Sequence, residues 1–239
     1  LLWICRKHAR LFDVRALYYG EKILPRKAWY LERNVIFHMA EPMKCGTEEF
    51  EVHLPPELIA AELEPNRLDL PQRTPAEHIR YALDHPIDSA PLKELVKAGD
   101  KVCIVISDVP RRWQSPETYI PILIAELESA GIRDEDMLII SATGTHRRQT
   151  PEEHMGLVTR EVYDRIELVD HVCTDQDNLT YVGTTTRGTP VWLDKRALAC
   201  DKIILTGGVV YHFMAGFGGG RKSVLPGIAG RETIMKNHN

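Results

Sequence analysis

Three histidines stand where an α/β chain would do chemistry. His146 follows an apolar run at 137–142, His212 follows another at 202–206, and His238 lies in a helical pattern beyond a glycine-rich segment. Imidazole titrates near neutrality, so a pair of them can take and return a proton at working pH. Neutral imidazole is also a common ligand for nickel-like metals. Singly, each is more often a surface or satisfied core residue; together on one edge of a sheet, they read as a site. Between His212 and His238 runs Gly216-Phe217-Gly218-Gly219-Gly220-Arg221-Lys222-Ser223. Its glycines let backbone approach a ligand closely, and their N–H groups can form an anion-binding concavity. Arg221 and Lys222 add positive charge. A phosphate loop of the G-x-x-x-x-G-K-[ST] kind is an alternative, fitted by Gly216 and Lys222-Ser223 but opposed by Arg221 at the last glycine position. A ligand-free glycine turn is the plain one.

The elements that must hold these residues follow from the pattern. Val102–Ser107 and Met137–Ala142 are continuous apolar runs, the mark of strands buried on both faces; Arg165–Val169 and Lys202–Thr206 complete the set. Thr74-Pro75, Ser115-Pro116 and Thr150-Pro151 each place a capping residue before a proline at the first helical position. They predict helices to about Leu83, to Ala130 and beyond Thr150. Shorter helices are predicted over Pro91–Ala98 and Asp194–Ala199, and one from Pro226-Gly227 through Lys236. Arg187-Gly188-Thr189, between Thr180–Thr186 and Pro190–Leu193, signals a hairpin. The fold class is therefore α/β: a mostly parallel, Rossmann-like sheet with helices on both faces and a β-hairpin insertion. Ligands bind such sheets at the carboxyl ends of the strands. That directs attention to Ser107-Asp108 with Arg111, to Thr143–Arg147, to Asp170-His171 and to the loop after Thr206.

The bulk properties narrow the class. A net charge of -4 and 44% hydrophobic content fit a globular protein and argue against nucleic acid or anionic membrane as the main partner. No apolar run approaches the roughly 18 residues that span a membrane. Five scattered cysteines without a C-x-x-C make neither a disulfide framework nor a zinc site and fit a cytoplasmic protein. Residues 1–42 carry eight Lys/Arg against four Asp/Glu, and residues 1–47 are expected to be a basic extension outside the core fold, with Met39 or Met43 as a start. Phe50–Leu54 alternates like a half-buried strand, and residues 64–75 read as an extended connector. The first residue, Leu1, and the helical pattern without a stop signal before Asn239 lead us to expect a piece of a longer protein.

Several ordered motifs together resemble the nickel-dependent lactate racemase family. The run His212-Phe213-x-Ala215-Gly216-x-x-Gly219-Gly220-Arg221-Lys222, then Leu225-Pro226-Gly227 and Asn237-His238, is similar to its signature. Ala142-Thr143-Gly144-Thr145-His146-Arg147 matches its A-T-G-x-H-R element, and Ser107-Asp108-Val109-Pro110-Arg111 resembles S-D-x-T-R. The resemblance covers residues 48–239, the family's N-terminal catalytic domain, and implies roles. Lys222 would carry the nickel-pincer nucleotide, a pyridinium mononucleotide, through a covalent thioamide link. His238 would ligate the nickel. His146 and His212 would be the paired acid/base residues that let either enantiomer react by reversible hydride transfer through a 2-keto acid. Asp108 and Arg111 would line the site of a small 2-hydroxyacid, and Gly218, Gly219, Gly220 and Arg221 would cradle the cofactor phosphate. The family's C-terminal domain, which closes over the substrate, lies outside this sequence, so a cofactor-binding fragment without catalysis is a further alternative.

The sequence also departs from the family. Pro110 stands for the usual threonine and Arg112 for the usual proline, so either Arg111 or Arg112 is available to meet substrate. Trp113 and the second arginine point to a substrate larger or more acidic than lactate. His154 and His171 match no motif and are expected to be surface or loop residues, with His171 able to lie near the site because it follows a strand.

Overall fold

The computed structural model describes residues 43–45, 48–50, 71–212 and 215–238. Backbone contacts divide the chain into two units, Leu1–Pro71 and Gln72–Asn239. In the first, strands β1 (Met43–Cys45) and β2 (Glu48–Phe50) pair antiparallel, with Met43 opposite Phe50. The basic stretch at 1–42, the predicted strand beyond Phe50 and most of the predicted connector lie outside the described residues.

The second unit begins with α1 (Pro75–Asp84), where Thr74 and Glu77 form a reciprocal capping box, satisfying N–H groups that a helix start leaves open. Helix α2 (Leu92–Leu95) is shorter than predicted. Val96 turns extended and joins the core, and the Lys97 N–H bonds the Asp100 carboxylate at 3.1 Å. Strand β3 (Val102–Ser107) leads through a 3-10 turn into α3 (Pro116–Ser129), β4 (Met137–Ala142) and α4 (Pro151–Val158). Ser115 does not cap α3 as predicted; it sits at φ 54° with no side-chain bond to the helix. A second helix that the pattern did not reveal, α5 (Arg160–Arg165), follows Thr159 at φ 76°. It takes up Arg165, so β5 runs Glu167–Asp170. Then come the hairpin β6 (Leu179–Thr184) and β7 (Pro190–Asp194), α6 (Lys195–Leu198) and β8 (Lys202–Leu205).

The central sheet has the order β5-β4-β3-β8 and is parallel throughout. The chain moves outward from β3 to β5, then returns to place β8 on the other side of β3. The reversal opens a crevice at the carboxyl ends of β3 and β8. Alternate side chains fill two cores. Val102, Ile104, Ile106 and Ile139 meet Ile120, Leu127, Leu157 and Val162 from α3, α4 and α5. Cys103, Val105, Ile140 and Ala142 meet Ala197 of α6 and Ile228. Full burial of each large aliphatic side chain contributes about 2 kcal/mol.

The second face is thus covered largely by an irregular segment. The predicted helix from Pro226 starts only at Arg231, as α7 (Arg231–Asn237). Gly227 packs its backbone against the sheet instead: a Cβ there would lie 2.2 Å from the Ser223 carbonyl oxygen and 2.9 Å from Ala142 Cβ. A buried cluster fixes this segment. Asp194, wholly buried at the end of β7, accepts bonds from Arg196 Nη2 at 2.7 Å and Nε at 3.0 Å, with His171 Nδ1 at 2.9 Å. His171 Nε2 reaches the Ala229 carbonyl at 3.0 Å, and the Trp192 N–H donates to Thr233 Oγ1 of α7 at 2.8 Å.

Burial alone would raise the Asp194 pKa, but hydrogen bonds from Arg196 and His171 outweigh it and hold the carboxyl at about 2. A depressed carboxyl contributes stability that is present above its unfolded value near 4 and lost as pH falls through the folded one. Asp194→Asn is expected to lower unfolding free energy at neutral pH by about 3 kcal/mol, because two partners lose a buried charge. It should also flatten the acid dependence between about pH 4 and 2. Urea titrations across that range measure both effects, and equal stability of the two proteins at pH 7 would contradict the assignment.

Candidate active site

Each strand end delivers one part of a cluster. At the end of β3, Asp108 is 1% exposed. An ionised carboxylate cannot stay buried without donors, and it has two: Arg111 Nη1 at 2.7 Å and His146 Nδ1 at 2.5 Å. Arg111 comes from the 3-10 turn directly after β3. His146 comes from the end of β4, where its N–H bonds the Thr143 carbonyl and folds the turn back toward β3. Because the carboxylate only accepts, His146 Nδ1 is the donor, and the lone pair of the neutral ring falls on Nε2.

Beyond β8 the chain runs through Gly207-Gly208 into a small hairpin, β9 (Tyr211–His212) and β10 (Gly216–Phe217). His212 Nδ1 accepts the Ala215 N–H at 3.1 Å. The glycine run then seats on the strand-end segment: Gly219 is at φ 71°, and a Cβ there would lie 2.9 Å from the Gly208 carbonyl oxygen. The Gly218 N–H bonds Val210 O, while those of Gly219, Gly220 and Arg221 make no hydrogen bond among the described residues. Lys222 follows in a 3-10 turn and is half-buried; Arg221 is exposed. Directly after α7, His238 Nδ1 donates to the Ile234 carbonyl at 2.9 Å, which leaves the lone pair on Nε2.

Electrostatics ties the parts together. Burial lowers the His212 pKa, and the positive charges of Lys222, Arg111 and His238 lower it further. Burial and the charge of Arg111 lower that of Lys222. Arg111, His212, Lys222 and His238 therefore lie within electrostatic reach of one another, and Asp108 ties His146 to Arg111. Asp108, expected to line the substrate site with Arg111, is buried and holds the Arg111 and His146 side chains. Of the two arginines, Arg111 belongs to the cluster. Arg112 turns away to α4, where a Cβ on Gly156 would lie 3.3 Å from its Nη1.

Other residues differ from expectation. His154 and His171 are buried, not surface residues. His154 Nε2 lies 2.9 Å from Asp170 Oδ1, and His171 belongs to the Asp194 cluster. Gln149 carries no motif, yet it binds the three strand ends together. Its Oε1 accepts from the Val109 N–H at 2.7 Å, and its Nε2 donates to Ser141 Oγ and Asp170 Oδ1. Burial raises the Asp170 pKa, but bonds from His154 and Gln149 leave it lowered. A polar residue two places after an A-T-G-x-H-R element was the only sequence signal. The phosphate-loop alternative loses its serine: Ser223 is buried and donates to the Thr206 carbonyl at 2.9 Å. Among the described residues no group of three or more His, Cys, Asp or Glu could hold a metal ion.

Comparison with known proteins gives a consistent result. The pattern of the lactate racemase N-terminal domain family matches residues 45–239. A lactate racemase from Lactiplantibacillus plantarum is 39% identical over 163 residues, 68% of this chain and 38% of that protein. One from Thermoanaerobacterium thermosaccharolyticum is 32% identical over 160 residues, 67% of this chain and 37% of that protein. The solved lactate racemase apoprotein from T. thermosaccharolyticum superposes with a TM-score of 0.69 at 30% identity, over 82% of this chain and 45% of that one. A Thermotoga maritima protein gives 0.56 at 26% identity, over 68% of this chain and 40% of that one. This chain thus spans under two fifths of the length of the curated relatives it matches.

The lysine can be tested directly. Lys222 should titrate below the ordinary lysine value of 10.5, read by carbon NMR on the reductively methylated protein with Lys222→Arg for assignment. Arg111→Gln removes a neighbouring positive charge and should move that titration upward. A Lys222 titration that does not respond to the change would separate the two residues.

Proposed function

We propose that this chain, which belongs to the lactate racemase N-terminal domain family, is the cofactor-holding part of a 2-hydroxyacid racemase that works with a nickel-pincer nucleotide. The reading rests on one observation above the others. A lysine of lowered pKa and an imidazole with its Nε2 lone pair available meet two further histidines at one sheet edge.

The residues fit the implied group. A lysine with lowered pKa is more often neutral and nucleophilic, as a covalent thioamide link at Lys222 requires. The N–H groups of Gly219, Gly220 and Arg221 form a start-of-helix cradle for a phosphate. His238 Nε2 would offer one nitrogen to nickel, beside donor atoms of the nucleotide itself. When bound, the nucleotide supplies a reversible hydride acceptor, so that a 2-hydroxyacid can pass through its planar 2-keto form.

The chain's own residues handle binding and protons. Arg111, held by Asp108 on one side, turns its remaining N–H groups to the substrate carboxylate or C2 oxygen by charge-assisted bonds. His146 Nε2 takes the hydroxyl proton, and Asp108 stabilises the imidazolium that forms. His212 serves the opposite enantiomer, and the surrounding positive charge returns its proton readily. The part of the relatives' length that this chain does not span would close the site over the substrate. No described helix is long and apolar enough to cross a membrane, and the scattered cysteines accord with a cytoplasmic setting.

Co-expression with the cofactor biosynthesis enzymes should yield a covalent adduct on Lys222 by intact mass, with about one nickel per chain. Lys222→Ala should carry neither, and His238→Ala should keep the adduct while losing nickel. Absence of both adduct and nickel from the unmodified protein would overturn the reading. In the full-length enzyme, His146→Gln or His212→Gln should slow racemisation about 10²- to 10⁴-fold. Because the His212 pKa is lowered from 6.5, its neutral form persists below that value. The acid limb of the rate profile that follows His212 should therefore lie under pH 6.5 and move upward in Arg111→Gln.

A further inference from the structure

Sixteen positions separate Lys222 from His238. If one residue holds the nucleotide and the other its nickel, the stretch between them has to keep a fixed shape. It is anchored first beside the lysine. Ser223 Oγ donates to the Thr206 carbonyl at 2.9 Å, and the Gly227 N–H returns to the Lys222 carbonyl at 3.0 Å. Residues 224–230 belong to no helix, so their buried carbonyls need donors from elsewhere. Three in a row find them in three different elements. Gly227 O accepts the Gly144 N–H, Ile228 O accepts the Asp194 N–H, and Ala229 O accepts from His171 Nε2, each at 3.0 Å.

Only the last of these donors is a side chain. Among the described residues, His171 is the one side chain that bonds the backbone of 224–230. It is 1% exposed and stands between two acceptors, Asp194 Oδ2 at Nδ1 and the Ala229 carbonyl at Nε2. A carboxylate and a carbonyl only accept, so the ring donates to both. Its main chain is tied to the other half of the site. The His171 N–H bonds Ser141 O, and its carbonyl takes the hydroxyl of Thr143, in the turn that carries His146. Directly beyond Ala229, the Gly230 N–H bonds Trp192 O and α7 begins. That helix has seven residues and is about 10 Å long. It is too short to absorb a shift at its start, and His238 closes it.

Resting on the nickel reading above, we propose that His171 is a positioning residue for the nickel ligand. By holding the Ala229 carbonyl it fixes where α7 starts, and hence where His238 Nε2 stands relative to Lys222. Lys222 is held separately, through Ser223 and Gly227, so attachment of the nucleotide does not depend on His171.

The test uses the full-length enzyme loaded with the nucleotide. His171→Asn puts an amide N–H where Nδ1 stood and nothing where Nε2 stood; it keeps the bond to Asp194 and drops the one to Ala229. His171→Gln reaches as far as Nε2 and keeps the bond to Ala229. Both should carry the Lys222 adduct by intact mass. His171→Asn should lose nickel to a chelator about tenfold faster than the unmodified enzyme, the scale on which outer partners of metal ligands act. His171→Gln should release it at close to the unmodified rate. In the cofactor-free protein, the α7 amide hydrogens should exchange faster in His171→Asn than in His171→Gln. Thr233→Val removes the acceptor of the Trp192 N–H, loosens α7 directly, and should also release nickel faster. Val162→Ala, in the core on the other face of the sheet, should lower the melting temperature and leave nickel release unchanged. Several results overturn the inference and leave the nickel reading standing: equal release from the Asn and Gln variants, unchanged release from Thr233→Val, release that simply follows melting temperature across the set, or loss of the adduct together with nickel. Unmodified enzyme that holds no nickel overturns both.

Discussion

A carboxylate withdrawn from water must be surrounded by donors, and Asp108 imposes that requirement on the whole crevice. It is buried at the end of the strand where the sheet reverses its order. Its two oxygens are satisfied by residues from different places, Arg111 from the turn after β3 and His146 from the end of β4. The sheet and the site are therefore one construction: the parallel register of β3 and β4 brings both strand ends to the same height. The bond from the turn and the bond from the neighbouring strand then fix which way a guanidinium and an imidazole face. Gln149 repeats the device one strand further out, joining the ends of β3, β4 and β5 through a carboxamide and the Asp170 carboxylate.

Most of the architecture was legible because its signals are local. Apolar runs gave β3 and β4 to the residue, and proline after a capping residue located the starts of α1 and α4. What failed depended on tertiary packing. Val96 ends α2 early because the core takes it. Thr159, at positive φ, splits a helical stretch that no breaker marks. Pro226-Gly227 looked like a helix start, but the glycine is there for a close approach to Ala142.

The site divided in the same way. The clustering of His146, His212, Lys222 and His238 was anticipated from motif order, since strand-end residues of a parallel sheet share an edge. The bonds from Asp108 to Arg111 and His146 were not foreseen, because sequence does not show which side chains a carboxylate faces. The choice between Arg111 and Arg112 was open for a similar reason: adjacent residues in a 3-10 turn point about a third of a revolution apart. His154 and His171 were undervalued. Their partners, Asp170 and Asp194, are 16 and 23 residues away, and no spacing rule joins them.

The positive charge around His212 has a kinetic side. The chain as a whole carries a net charge of -4, yet the positive charges of Arg111 and Lys222 both act on His212. Fixed positive charge at the mouth of a crevice draws in counter-ions from several ångströms away. Small organic anions and phosphate-bearing molecules are guided inward, with an encounter rate that falls as salt rises. The same charge disfavours a bare cation, so whatever this crevice takes up is favoured when it brings negative groups of its own.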